Sequence, residues 1–258
     1  EEPYTTGNGS EFKWWRARML GGRTNHWGRY SLRFSEHDFK GKTRDGLGAD
    51  WPFEYKDIAP WYDEVEALVG ICGTNTGLDD MPDSPEGVLQ PAPKARVPEL
   101  LVSAAAKKLG IPTAPMHRAV LTRPLGDRQA CFYATPCGHG CSIGAAFQTT
   151  TSLIPIANKT GNLKIITDAM VKSVDVNEQG KITAVSYINK KTGEETQLSA
   201  KVVILAASAC ESARLLLNSK SEYFPNGLAN TSGQVGRNLM DSTGVDVGAH
   251  IPVLENRP

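Results

Sequence analysis

The hydrophobic and polar positions divide the chain into a helical first part and a strand-rich last part. Ile58, Trp61, Val65 and Leu68 recur at helical spacing, with Asp57 placed to cap the first turn and Gly70 to end the last. A second helix is predicted over residues 99–109, with Pro98 suited to its first turn and Gly110 to its stop. A short apolar patch at 153–157 follows a run of threonines and suggests one more short helix. From Asn162 the period changes. Residues 163–166 form a short apolar run, 171–176 end at turn residues 177–180, and 182–188 end at 190–193. These read as an antiparallel meander. A third strand from about Glu195 is expected to run into Val202-Val203-Ile204-Leu205. That unbroken apolar run predicts a strand buried on both faces, the mark of a parallel α/β sheet. Ser208-Ala209-Cys210-Glu211 then has the form of a capping box ahead of Leu215, Leu216 and Leu217. Strand, tight turn and capped helix would put a helix N-terminus at the carboxyl edge of the sheet, where open α/β sheets bind nucleotides.

The remaining stretches are less regular. Residues 1–12 are a polar lead-in, 34–49 a charged, Gly-rich surface connection, and 74–98 a Pro/Asp/Gly-rich loop. Three prolines between 111 and 124 prevent one regular element there.

Charge excludes some partners. The 258 residues carry 28 basic and 28 acidic side chains, so nothing draws the chain to nucleic acid or anionic lipid. No run is long and apolar enough to span a bilayer. The chain opens on Glu1 without an initiator Met, and the expectation is an internal piece of a longer protein. Five cysteines, three of them clustered, do not suggest a secreted disulfide framework.

The stretch richest in chemistry is Gly21-Gly22-Arg23-Thr24-Asn25-His26-Trp27, with Arg33-Phe34 downstream. Two glycines without Cβ atoms let a backbone pass close to a flat ligand, and His26 can then point its ring at whatever they admit. Trp27 would supply an aromatic wall. The alternative is a structural histidine hydrogen-bonded within its own loop.

This pattern resembles the flavin loop of the glucose–methanol–choline (GMC) oxidoreductases, and of their pyranose-oxidase-like branch in particular. There, Gly-Gly and three residues precede a histidine bonded covalently to FAD, and a Trp follows. The second half resembles the family too: Gly161-Asn162-Leu163, Val171, the meander, Ile204-Leu205-Ala206-Ala207, residues 213–219 and Gly233-Gln234-Val235-Gly236-Arg237-Asn238-Leu239-Met240-Asp241 keep the family order. Ser208 stands where the family usually has Gly. Met240 and Ser242 replace the commoner Gln and His.

The resemblance implies an α/β fold: a Rossmann-like FAD-binding parallel sheet with an antiparallel meander, and a mixed substrate-side insertion. Residues 1–50 and 161–258 would belong to the FAD-binding part, and 51–160 to the insertion. It implies FAD as cofactor, contacted by Gly21, Gly22, Thr24, Asn25, His26, Trp27, Val171, Ala206 and Ala207. Both a covalent link through His26 and a non-covalent contact stay open. The implied reaction is oxidation of a CH–OH group, on a small polyol or sugar, with hydride passing to flavin N5. Oxygen, a quinone or a cytochrome would then take the electrons. No Gly-x-Gly-x-x-Gly follows a strand, and His37, His117, His139 and His250 match no catalytic block of the family. The pyrophosphate loop is therefore expected before Glu1, and the catalytic base beyond Pro258.

Cys131, Cys137 and Cys141 are separated by five and three residues, with glycines between the last two. As thiolates they could hold zinc, with His139 as a fourth ligand, or an iron–sulfur cluster, and three-cysteine clusters occur in some membrane-linked relatives of the family that the chain resembles. The plainer reading is a compact Gly-rich loop with no metal, and that is the expectation for this site. Two rival functions remain: an NAD(P)-dependent flavoprotein, and a non-catalytic α/β binding module stapled by a metal at the cysteines.

Overall fold

A computed structural model describes residues 4–14, 16–133, 137–240 and 247–255. The chain divides into two compact units, residues 1–163 and 164–258.

In the first unit, the stretch 34–49 departs from the expected irregular connection. It forms two short helices, α1 (Glu36–Phe39) and α2 (Gly41–Asp45). The cause is Phe39, which is buried among the rings of Phe34, Trp51 and Phe53. Asp38 fixes the start of α1 by accepting the Ser35 N–H at 2.7 Å.

Helix α3 (Tyr55–Val69) ends on left-handed Gly70 as expected, but Asp57 is not its cap. It lies inside the first turn and accepts the Glu54 N–H at 2.8 Å, with Glu54 at the cap position. Its apolar stripe is also turned outward: Trp61, Val65 and Leu68 are exposed, while Glu66 and Val69 are buried. A charged residue faces inward because Arg33 meets it there. The guanidinium gives Glu66 two hydrogen bonds, at 2.9 and 2.5 Å, and adds bonds to Asp63 and to the Tyr55 hydroxyl. Ser84 donates to the same carboxylate at 2.7 Å. Burial works against the charge on Arg33, but its hydrogen bonds to Glu66, Tyr55 and Asp63 outweigh it and raise the pKa.

After α3, β1 (Cys72–Gly73) pairs in parallel with β2 (Gln90–Pro91). Helix α4 (Val97–Lys108) has Pro98 in its first turn, and left-handed Gly110 follows it. The Pro-rich segment beyond α4 forms no single element, yet its middle is the centre of the unit. Ala119 and Leu121 are fully buried. Ala119 N–H donates to Arg29 O, and Phe147 N–H donates to Ala119 O, both at 2.9 Å. Leu121 N–H reaches Ala145 O, while Arg118 and Cys72 exchange both backbone bonds. This extended rail therefore holds the Gly-Gly loop on one side and the residues after the cysteine loop on the other. The core beside it comprises Val69, Ile71, Ala119 and Phe147, with Trp27, Leu89 and Leu153 packed against it. Leu153 opens the short helix α5 (Leu153–Lys159).

The second unit contains the meander in the expected order: β3 (Ala169–Val176), β4 (Ile182–Asn189) and β5 (Glu195–Leu198), antiparallel throughout. Helix α6 (Ala209–Asn218) docks on β3. Arg214 donates to Val171 O at 3.4 Å, and the Ser219 hydroxyl accepts the Val174 N–H at 2.9 Å. Three expectations fail here. Residues 163–166 form no strand. Val202-Val203-Ile204-Leu205 lies in no strand, with Val202 76% and Ile204 82% exposed, so it is no buried strand. A parallel strand needs a neighbour to satisfy its N–H and C=O groups, and none of the described residues supplies one. Among them the only parallel pairing is β1–β2, so the described sheets are a small parallel pair in the first unit and the antiparallel meander in the second. The capping box before α6 is absent as well. The Ser208 side chain makes no cap bond, and Glu211 instead accepts from Arg214 at 2.6 Å.

Among the described residues no helix is long and apolar enough to cross a membrane.

Candidate functional site

The Gly-Gly loop is held by more than its glycines. Gly21 is left-handed, with φ 85°, and residues Gly22–Asn25 form a 3-10 turn. A Cβ on Gly21 would lie 2.7 Å from Asn25 Oδ1 and 2.8 Å from Thr150 Cγ2, so no larger residue fits. Gly22, also left-handed, faces open space. One glycine therefore serves packing, and the other leaves an approach clear.

Thr24 and Asn25 are committed to the loop. The Thr24 hydroxyl bonds to Gly21 O and to the Thr149 hydroxyl, and accepts the Thr149 N–H at 3.1 Å. Asn25 donates to Leu20 O at 2.8 Å and accepts from the Thr150 hydroxyl at 3.1 Å. The threonine run thus staples the loop from behind, a role that its polar character alone does not reveal. Trp27 turns inward: its Nε1 donates to Phe147 O at 3.2 Å and its ring meets Phe147 edge-on, so it anchors the loop to the core.

His26 does the opposite. Its ring is exposed and takes no hydrogen bond among the described residues, which removes the reading of a loop-bound structural histidine. It borders a cavity of about 430 Å³, shared with Met19, Asn25, Gln148, Thr150 and the Gly138-His139-Gly140 turn. That size falls within the range of small-molecule sites. Gln148 is buried, and its Nε2 has no partner among the described residues.

Behind the cavity sits Arg29, which the sequence did not single out. It is buried and left-handed, with φ 61°. It donates to Trp27 O at 2.7 Å, Cys137 O at 3.0 Å and Asn25 O at 3.1 Å, tying the Gly-Gly loop to the cysteine turn. Burial lowers its pKa, partly offset by the nearby Cys137 and Cys141 thiols. Cys141 Sγ accepts the Ala146 N–H and Cys131 Sγ accepts the Tyr133 N–H. Part of this cluster, residues 134–136, lies outside the described residues. Among the described residues no three His, Cys, Asp or Glu side chains gather as metal ligands.

The other expected contacts belong to the second unit. Val171 lies on β3, with its carbonyl taken by Arg214. Ala206 and Ala207 are exposed in the turn before α6. Of the last family-like block, Met240 is exposed, while Asp241 and Ser242 lie outside the described residues.

A family model described as GMC oxidoreductase matches residues 4–243. The chain is 32% identical over 230 residues to the fructose dehydrogenase large subunit of Gluconobacter japonicus, covering 88% of this chain and 41% of that protein. It is 34% identical over 223 residues to 2-methyl-1,2-propanediol dehydrogenase of Mycolicibacterium austroafricanum, covering 86% and 40%. With the 6'''-hydroxyparomomycin C oxidase of Streptomyces lividus it shares 31% identity over 240 residues, covering 90% and 43%. The chain thus spans about two fifths of the length of these curated relatives. A match from residue 4 to residue 243 takes in both units and the whole Gly-Gly loop, and the chain belongs to the GMC oxidoreductase family.

Proposed function

We propose that this chain is the cofactor-holding part of an FAD-dependent oxidoreductase that oxidises CH–OH groups of sugars or related polyols. The observation that carries the reading is the exposed His26 ring, without a hydrogen bond among the described residues, on a cavity that Asn25, Gln148, Thr150 and the 138–140 turn line with it. The residues fit a flat heteroaromatic ring. Gly22 faces open space, Gly138 and Gly140 line the cavity without side chains, and Gln148 has a donor unspent among the described residues. The relatives' names, fructose dehydrogenase, 2-methyl-1,2-propanediol dehydrogenase and 6'''-hydroxyparomomycin C oxidase, support polyhydroxylated substrates for the whole protein.

In this reading Gly21, Gly22 and His26 form the ring-facing edge. Thr24, Asn25 and Trp27 hold that edge in place, and Val171, Ala206 and Ala207 contact the nucleotide end. Residues 1–50 and 161–258 hold the cofactor within a Rossmann-like framework, and 51–160 face the substrate. When bound, FAD supplies the hydride-accepting chemistry. The residues of this chain bind and orient; oxygen, a quinone or a cytochrome takes the electrons onward. The contact from His26 extends to a covalent bond in this proposal: an imidazole nitrogen would replace a hydrogen on a flavin methyl carbon, losing its own proton, and the two electrons left on the ring would pass to the same oxygen, quinone or cytochrome acceptor. Flavin should then stay with acid-precipitated protein and be released in His26→Ala. Flavin that leaves the wild type freely in acid would reduce His26 to a non-covalent contact.

The substrate claim is tested by dye reduction. The protein, supplied with FAD, should reduce an artificial acceptor when given pyranoses or glucosides and no NAD(P). Activity only with acidic or apolar alcohols, or only with NAD(P)H, would refute it.

A further inference from the structure

We propose that Gln148 is the hydrogen-bond donor of the His26 cavity, presenting its amide N–H to a nitrogen or oxygen acceptor on the flavin ring. This rests on the FAD reading above. Gln148 is only 6% exposed, it lines the cavity, and its Nε2 is buried with no partner among the described residues. An unmade buried donor costs about 1–3 kcal/mol, so a glutamine there is a liability unless something accepts from it.

Two other polar groups of the wall, the Thr150 hydroxyl and the Asn25 amide, are already committed. The Thr150 hydroxyl donates to Asn25, and the Asn25 amide donates to Leu20 O. Gln148 is held firmly at its own backbone. Its carbonyl accepts the Thr151 N–H at 3.1 Å, the Ser152 N–H at 3.0 Å and the Ser152 hydroxyl. The amide end lies against the bare face of Gly140, with Nε2 3.8 Å from where a Cβ would stand. The side chain is therefore held at the cavity wall, with Nε2 closed off until its terminal amide torsion turns toward a bound acceptor. A dimethylbenzene edge offers no acceptor, so the partner is on the nitrogen- and oxygen-bearing part of the ring. A donor there stabilises the electron-rich reduced ring more than the oxidised one.

The test compares wild type, Gln148→Leu and Gln148→Glu, each purified with FAD, by visible spectrum, midpoint potential and thermal unfolding. Removing one hydrogen bond of about 1.4 kcal/mol should favour the oxidised form about tenfold, or about 30 mV downward for a two-electron couple. The visible bands should shift as well. Gln148→Glu keeps the shape of the side chain and should lower the potential at least as far, which covers the case in which the leucine variant fails to fold. If wild type binds FAD and both variants keep its potential and spectrum, this proposal is overturned and the flavin reading stands. If wild type takes up no FAD, both fall together.

Discussion

Replacing Glu66 with alanine would leave Arg33 as an unpaired cation in the interior of the first unit. The side chains of Arg33 and Glu66 are 1% and 4% exposed, and two hydrogen bonds join them. Removing one partner of a buried pair costs about 3–5 kcal/mol, because the remaining charge has lost its compensation. Arg33 also bonds Asp63, but the Asp63 side chain is 32% exposed, and water can replace much of what it gives. Asp63→Asn should therefore cost less than about 1 kcal/mol. With a urea slope of about 2 kcal/mol/M, a loss of 4 kcal/mol moves the unfolding midpoint down by about 2 M. The Asp63→Asn midpoint should move by less than about 0.5 M. Urea unfolding followed by far-ultraviolet circular dichroism reads both. Equal small shifts in the two variants would refute the clamp as the reason Glu66 faces inward.

Gly21→Ala should destabilise by about 3 kcal/mol, since its Cβ would overlap Asn25 and Thr150. Gly22→Ala should cost only about 1 kcal/mol, for the left-handed backbone alone; equal costs in the urea assay would contradict the division of roles. Ser208 has φ 78° and ψ 165°, a region open almost solely to glycine. Ser208→Gly should gain about 1 kcal/mol and raise the melting temperature by about 2–4 °C, whereas a lower melting temperature would show that the strain is absent.

Much of the local structure follows from pattern alone. The meander is legible because its alternation and its Gly-bearing turns agree. The ends of α4 are legible because Pro98 and Gly110 act through their own backbones. What fails depends on distant partners. The helical spacing of Trp61, Val65 and Leu68 predicts an inward face, but the choice of face was made by Arg33, which lies more than twenty residues earlier. The apolar run Val202-Val203-Ile204-Leu205 states a preference for burial that no described strand satisfies. In the candidate site, the Gly-Gly loop with His26 is readable as a motif, while Trp27 looks like a ligand wall and proves to be an anchor. Arg29 and Gln148 carry no motif; burial and hydrogen bonding reveal them. A basic residue following Trp27-Gly28 and a glutamine opening a threonine run were the only traces in the sequence.

The central claim is that the Gly-Gly loop and the His26 cavity serve a flavin. The most direct measurement is the visible absorption spectrum of the full-length protein purified with FAD supplied. The account predicts a yellow protein with the two flavin bands and close to one FAD per chain. A folded, colourless protein that retains no FAD would contradict it.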